Sequence, residues 1–117
     1  MKKLQTLMNE IATWSDATFG SRQRNPAILH HLEKEVKELI AEFYNDPPTL
    51  PGDRYYEKLD KVAMEYADCF MLLFDSAAHF GYTAEDIFTL ISKKLSINKS
   101  RKWGKPTELG VVHHVKE

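Results

Sequence analysis

The chain has 117 residues, 43% of them hydrophobic and 28% charged, which is an ordinary composition for one globular domain with a modest core. Its formal net charge of −1 argues against the strongly basic surface of a protein that binds a nucleic-acid polymer. No apolar run approaches the roughly 20 residues that span a bilayer, and the first residues do not form a signal peptide. The lack of such a run leads us to expect no membrane partner. Because the lone Cys69 cannot form an internal disulfide, we expect a reducing compartment and therefore a cytoplasmic protein.

Apolar residues at helical spacing predict a first helix from about Leu4 to Ala17, which Phe19-Gly20 ends. Trp14 and Phe19 are either core residues, which is the favoured interpretation for Trp14, or one of them stacks on a planar ligand. After a polar loop, Asn25-Pro26 predicts a second helix with Asn at the N-cap and Pro at the first helical position. The core-facing stripe predicted for this second helix consists of Ile28, Leu29, Leu32, Val36, Leu39, Ile40 and Phe43.

A loop rich in Pro from Asn45 to Asp53 leads to a third helix, predicted to begin near Tyr55 or Tyr56 and to end at Gly81. The short connection predicts that the second and third helices pack antiparallel. A capping-box pattern at residues 83–86 then opens a fourth helix, with predicted buried positions at Ile87, Leu90, Ile91 and Leu95. The sequence therefore predicts an all-α fold, a four-helix bundle with an irregular C-terminal tail, as one domain over residues 1–117.

The third helix is the most informative, because the charges on its polar side have one sign. Its apolar face, predicted to pack in the bundle core, consists of Tyr66, Phe70, Leu73, Phe74 and Ala77. The stripe roughly opposite consists of Glu65, Asp68, Leu72, Asp75 and His79. An ordinary solvent-exposed stripe is one interpretation, but no Lys or Arg occurs between Val62 and Ser92 to give the usual mixture of signs. Buried carboxylates would need a hydrogen bond, an ion pair or a metal.

Two acidic pairs are each spaced to share one edge of a helix. Glu35 and Glu38 lie one turn apart on the second helix, as Glu65 and Asp68 do on the third. If the helices lie side by side, the four carboxylates converge and raise each other's pKa unless a cation neutralises them. Such a set of oxygen ligands suits Mg²⁺, or Mn²⁺, rather than zinc. On the second helix alone, a surface of weak local charge pairs is the stronger interpretation.

The fourth helix has a polar edge made of Lys94, Asn98 and Arg101, spaced at i, i+4 and i+7. Beside a metal held by the acids, these side chains would bind the remaining charge of a phosphate substrate. The alternative is that basic residues at this helix end only complement the helix dipole. The sequence lacks the Glu-x-x-His pairs of di-iron bundles and the Gly-rich loop of Walker-type phosphate sites.

In their order and spacing, these motifs resemble the MazG-like all-α nucleoside triphosphate pyrophosphohydrolases, and more narrowly their dATP/dGTP pyrophosphohydrolase (MazZ-like) branch. The similar segments are Trp14 with Phe19-Gly20, His31-Leu32 with Lys34-Glu35 and Glu38, Glu65-Tyr-Ala-Asp68, Asp75 with Ala77, Lys94-x-x-x-Asn98-x-x-Arg101-x-Trp103, and His114-Val115-Lys116. The loop from Asn45 to Asp53 looks longer than this branch usually needs. This difference affects the expected shape of the site's mouth but not the expected metal ligands.

The resemblance implies hydrolysis of a (deoxy)nucleoside triphosphate, a purine one, to the monophosphate and pyrophosphate with Mg²⁺. It implies metal-binding and catalytic roles for Glu35, Glu38, Glu65 and Asp68, and phosphate or sugar contacts for Lys94, Asn98 and Arg101. Trp14 and Phe19 would contact the base, whereas Asp75 and His79 would support the site or be structural. It also implies a homodimer or homotetramer with its sites close to the subunit contacts.

A different class of function is compatible with the same residues: a non-catalytic helical module whose acidic face binds a basic partner. That module predicts no triphosphate turnover and no effect of Mg²⁺ on stability. A metal bound only by the folded protein instead raises the melting temperature, so melting curves with and without Mg²⁺ distinguish the two hypotheses.

Overall fold

The computed structural model describes residues 1–20, 24–44, 52–103 and 114–115. The helices in these residues are α1 (Lys2–Phe19), α2 (Asn25–Tyr44), α3 (Gly52–Phe80) and α4 (Ala84–Ser100). The predicted all-α class is confirmed. The tail, which the sequence predicts to be irregular, instead contains a short antiparallel pairing of β1 (Lys102–Trp103) with β2 (His114–Val115).

The chain falls into two compact units, Met1–Ala84 and Glu85–Glu117. The first contains α1, α2 and α3, and the second contains nearly all of α4 with both strands. That the whole chain forms one domain therefore stays a prediction. In the described part of the chain, no helix has the length and apolar character needed to cross a membrane.

Glycines end α1 and α3 where the sequence predicts. Gly20 and Gly81 have φ of +96° and +106°, a region in which a side chain would be strained. The Gly20 N–H donates to the Asp16 carbonyl at 2.9 Å, while the N–H groups of Gly81 and Tyr82 donate to the carbonyls of Ala78 and Ala77 at 3.0 Å. The two bonds at the end of α3 form a Schellman motif, so the last carbonyls of this helix are satisfied by its own chain.

The starts of α2 and α3 differ from the predictions. The first bond of α2 runs from the Ile28 N–H to the Arg24 carbonyl at 2.8 Å, which places Arg24 rather than Asn25 at the N-cap. Asn25 Oδ1 instead accepts a hydrogen bond from Ser76 Oγ of α3 at 3.0 Å. α3 begins at Gly52, three residues before the earliest predicted start, Tyr55. The rest of the predicted loop, residues 45–51, lies outside the described residues.

α2 and α3 pack antiparallel, as the short connection predicts. Lys58 Nζ near the start of α3 donates to Glu42 Oε2 near the end of α2 at 3.0 Å. At the other end of the pair, Ser76 lies against Asn25. Residue numbers thus rise along α2 as they fall along α3, and this direction brings the two acidic pairs to the same level.

α1 packs against the C-terminal part of α3. His79 near the end of α3 contacts Asp16 near the end of α1, and the Gln5 side chain at the start of α1 accepts from the Ala84 N–H at 2.8 Å. Among the described residues, the buried hydrophobic side chains are Met8, Ile11, Ile28 and Ala84. Most of these come from α1 and α2, whereas the polar stripe of α3 contributes the buried Asp75, so this stripe faces inward at that position.

The apolar face of α3, predicted to pack in the bundle core, is largely exposed. Tyr66, Phe70 and Leu73 are 45%, 56% and 51% exposed, so the prediction that this apolar face is buried is wrong for the single chain. The same correction applies to predicted core positions on α2 and α4, namely Leu29, Val36, Ile40, Phe43, Leu90, Ile91 and Leu95, which are all exposed. The physical reason is that Asp75, Ser76 and His79 of α3 make contacts to α1 and α2, and in the described part of the chain the large side chains on the opposite, apolar side stay exposed.

Candidate metal centre and substrate cavity

Three of the four predicted acids meet between α2 and α3. Glu35, Glu38 and Glu65 each present a carboxylate oxygen, and these oxygens lie within 4.8 Å of one another. Asp68 is close enough for its charge to raise the pKa of Glu35, and both residues line the same cavity. The antiparallel pair of helices therefore brings the four predicted residues to one place, while their roles stay predictions.

The electrostatics of this cluster favour a bound cation. Burial raises the pKa of Glu35 above its ordinary value, and the Glu38 carboxylate raises it further through a hydrogen bond and its charge. The hydrogen bond of Glu35 Oε1 with His31 Nε2, at 3.2 Å, lowers the pKa of Glu35 and so opposes this increase. Glu65 Oε2 is buried and has no hydrogen-bond partner among the described residues. A divalent cation would remove the repulsion and satisfy the orphaned oxygen, so the residues present fit Mg²⁺.

Cys69 lies beside the acids but is not a candidate nucleophile. Burial raises the pKa of its thiol, and the charges of Glu35, Glu65 and Asp68 raise it further. Because the thiolate is the reactive form, the acidic surroundings keep this cysteine inert at neutral pH.

A cavity of about 450 Å³ extends away from the acids along the helices. Its wall consists of Ile11, Trp14, Ser15, Phe19, Arg24, Ala27, Ile28, His31, Glu35, Asp68, Met71, Leu72 and Asp75. Glu35 and Asp68 form one end, and Arg24 and Asp75 form the other. At 1.5 Å per residue, α2 advances about 16 Å between Arg24 and Glu35, and α3 about 10 Å between Asp68 and Asp75. The cavity is thus elongated, with the acids Glu35 and Asp68 at one end and the Arg24–Asp75 pair at the other.

Two aromatic rings form part of the cavity wall. The centroids of Trp14 and Phe19 are 5.6 Å apart with an interplanar angle of 89°. Both side chains are 55% exposed, so the interpretation of Trp14 as a core residue is wrong. The guanidinium carbon of Arg24 lies 5.0 Å from the Phe19 ring centroid, within range of a cation–π contact. Exposed rings beside a cavity are suited to stacking on a nucleobase.

Sequence reasoning missed Ser15 and Arg24 as site residues. Ser15 Oγ donates to Asp75 Oδ2 at 2.6 Å, and the Arg24 guanidinium donates to Ser15 Oγ and lies 4.0 Å from Asp75 Oδ2. Ser15 and Asp75 are only 1% and 4% exposed. The one available signal was indirect: a buried carboxylate needs a partner, and α3 has no Lys or Arg after Lys61. The partner therefore had to come from another element.

His79 connects α1 to the same network. Its Nε2 lies 2.6 Å from Asp16 Oδ1, and its Nδ1 lies 2.8 Å from the Asp75 carbonyl oxygen and 2.9 Å from Asp75 Oδ1. Both ring nitrogens face acceptors, so the doubly protonated imidazolium fits this position best. The hydrogen bond to Asp16 raises the pKa of His79, burial opposes this effect, and Asp75 adds to the increase. The imidazolium thus ties α1 to the end of α3.

We expect the stability contributed by His79 to depend on pH. Because its pKa is higher in the folded than in the unfolded chain, the stabilisation is fully present below about pH 6.5 and is lost as the pH rises through the raised value. The melting temperature of the wild-type protein should therefore fall across this window, and His79→Gln should remove that component. His30→Gln, at an exposed position of α2, is the matched control. An unchanged pH slope in His79→Gln would contradict the assignment.

The predicted phosphate ligands belong to the second unit. Lys94 is exposed on α4. Arg101 lies just beyond the last residue of this helix, Ser100, and its N–H donates to the Asn98 carbonyl at 3.3 Å. The backbone bond continues the last turn of α4. The assignment of Lys94, Asn98 and Arg101 to phosphate contacts stays a prediction.

Comparison with known proteins adds an independent finding. A family model described as dATP/dGTP pyrophosphohydrolase matches residues 57–117, which include Glu65 and Asp68 of the acidic cluster. The Eaa protein of Salmonella phage P22 is 33% identical over 113 residues. That alignment covers 97% of this chain but only 30% of the phage protein, so the chain spans less than a third of its relative's length. No solved structure matches the chain significantly.

Proposed function

The chain belongs to the dATP/dGTP pyrophosphohydrolase family, and from this premise we propose that it hydrolyses a purine deoxynucleoside triphosphate to the monophosphate and pyrophosphate in the presence of Mg²⁺. The observation that supports the proposal most is the cluster of Glu35, Glu38 and Glu65, because Glu35 also lines a cavity whose wall includes two aromatic rings. Acids that bind a metal and rings that stack on a base together suit a nucleotide.

The metal ligands in this proposal are Glu35, Glu38, Glu65 and Asp68. The buried Glu65 Oε2, which has no hydrogen-bond partner among the described residues, and the raised pKa of Glu35 both support cation binding at this position. Held by these carboxylates, Mg²⁺ would neutralise the charge of the acids and of the substrate phosphates, and Mn²⁺ shares its preference for oxygen ligands. One of the four carboxylates would also orient the attacking water by accepting its hydrogen bond.

The substrate in this proposal lies along the cavity, with its phosphates at the acidic end and its base beside Trp14 and Phe19. The same proposal assigns the outer phosphates or the sugar to Lys94, Asn98 and Arg101. Arg101→Ala should then raise KM without lowering the melting temperature, since a residue beyond a helix end contributes little to stability. Unchanged kcat and KM in this variant would remove Arg101 from the substrate contacts.

The reaction type is tested by its products. With Mg²⁺ and either dGTP or dATP, we expect the wild-type protein to release monophosphate and pyrophosphate, identified by ³¹P NMR of the reaction mixture. Release of diphosphate and orthophosphate would place the cleavage at the terminal phosphate and would contradict the proposal. No turnover, together with a melting temperature that Mg²⁺ does not change, would favour the non-catalytic acidic module.

We also propose that the protein is a homodimer or homotetramer. We define the outer face of α3 as Tyr66, Phe70 and Leu73, three large apolar side chains that are 45% or more exposed in the single chain. The ring of Phe70 also stacks on Phe74, with centroids 6.3 Å apart, so the apolar surface is continuous along the helix. Continuous exposed apolar surface on a small chain is typical of a protein–protein interface. A second copy covering it would lie on the helix that bears Glu65 and Asp68.

A further inference from the structure

Arg24 is held in place at the end of the cavity opposite the acids. Its guanidinium contacts the Phe19 ring, donates to Ser15 and lies 4.0 Å from Asp75 Oδ2. Ser15 and Phe19 belong to α1 and Asp75 to α3, so contacts to two helices orient a residue at the start of a third. An arginine restricted in this way loses little further freedom when a ligand binds, which favours a specific contact.

The hydrogen-bonding groups at this end of the cavity are mainly donors. A guanidinium has five N–H groups and no acceptor, and the bond to Ser15 uses only Nη1. Neither carboxylate oxygen of Asp75 is open to a ligand: Oδ2 accepts from Ser15, and Oδ1, which has no hydrogen bond among the described residues, is buried 2.9 Å from His79 Nδ1 in an ion pair. A ligand edge that presents acceptors therefore fits here better than an edge that presents an amino group.

We propose that Arg24 determines base specificity by donating to O6 and N7 of guanine, so that dGTP is preferred to dATP. The pairing of arginine with this guanine edge is the commonest specific contact between a side chain and a base. Adenine offers the same N7 but an amino donor in place of O6, which would face a guanidinium N–H. Because Arg24 covers one face of Phe19, Trp14 provides the stacking surface. The inference rests on the proposed function, since it assigns the base end of the same cavity.

The wild-type protein tests this inference without any substitution. We expect kcat/KM for dGTP and deoxyinosine triphosphate to exceed that for dATP by about tenfold or more, since both keep O6 and N7. For 7-deaza-dGTP, which lacks the N7 acceptor, kcat/KM should fall well below that for dGTP. Equal kcat/KM for dGTP and dATP, or no loss with 7-deaza-dGTP, would overturn the role of Arg24 while leaving the pyrophosphohydrolase function intact. No hydrolysis of any triphosphate would overturn the proposed function itself.

The matched variant is Arg24→Met, which keeps the apolar stem and removes the donors. Its kcat/KM for dGTP should fall to the level for dATP, while the value for dATP stays close to that of the wild type. Lys34→Met, which removes an exposed cation of α2 outside the cavity wall, should leave the preference unchanged. An equal loss for both bases would show that Arg24 binds phosphate or sugar instead, against the inference. Melting curves verify that Arg24→Met folds. If it does not fold, the kcat/KM values of the wild-type protein for the four triphosphates decide whether the base is recognised through O6 and N7.

Discussion

Glu38→Gln should lower the turnover of a purine deoxynucleoside triphosphate by about a hundredfold or more, as expected when a charge that stabilises the reacting phosphate is lost. The substitution keeps the size of the side chain and removes its charge from the cluster with Glu35 and Glu65. Asp68→Asn should have a comparable effect. The measurement is kcat at saturating Mg²⁺ and substrate, with the variants purified in parallel.

The same substitution should not weaken the fold. The Glu38 carboxylate helps to raise the pKa of Glu35, so its charge is unfavourable in the metal-free protein. Without Mg²⁺, the melting temperature of Glu38→Gln should therefore equal or exceed that of the wild type. The increase in melting temperature on adding Mg²⁺ should shrink, because the variant binds the ion less tightly. Lost turnover with retained stability separates a metal ligand from a structural residue.

Glu33→Gln is the control for the acidic cluster. Glu33 is exposed on α2 and lies two residues from Glu35, hence on another side of the helix. Its substitution should change neither kcat nor the response to Mg²⁺. Wild-type turnover in Glu38→Gln would exclude Glu38 from the metal site. An equal loss in Glu33→Gln would show that the net charge of α2, rather than the cluster, is responsible.

Phe70→Lys should convert the proposed homodimer or homotetramer into monomers. Phe70 is 56% exposed in the single chain, so the substitution leaves the packing of α3 against α1 and α2 intact. In an oligomer the lysine would have to be buried against apolar surface without a partner, which is costly. Light scattering after size-exclusion chromatography should show a multiple of 13.5 kDa for the wild type and the monomer mass for the variant.

Met64→Lys is the matched control for assembly. Met64 is 67% exposed and lies on a different side of α3 from Phe70, so its substitution should leave the oligomer unchanged. A monomeric wild-type protein at high concentration would contradict the proposed assembly. A Phe70→Lys variant that keeps the wild-type mass would show that the outer face of α3 is not the interface.

The sequence by itself determined the features that neighbouring residues encode. Helical periodicity predicted the all-α class, and Gly20 and Gly81 predicted where α1 and α3 end, because only glycine adopts a positive φ without strain. The meeting of Glu35 and Glu38 with Glu65 was also predictable. One-turn spacing places each acidic pair on one helix edge, and a short connection makes consecutive helices antiparallel.

The tertiary structure alone decided which face of α3 is buried. Hydrophobic periodicity predicts that Phe70 is inside and does not decide whether the stripe with Asp75 is exposed or buried, whereas in the structure Phe70 is 56% and Asp75 4% exposed. The reason is that Asp75 Oδ2 accepts a hydrogen bond at 2.6 Å from Ser15, which lies 60 residues away in the chain, with the Arg24 guanidinium beside them. No local pattern encodes a partner at that separation. Because α1 and the start of α2 supply those partners, burying the polar stripe is no longer costly. The apolar face is then the exposed one, and it is the surface that we propose for the contact with a second copy of the chain.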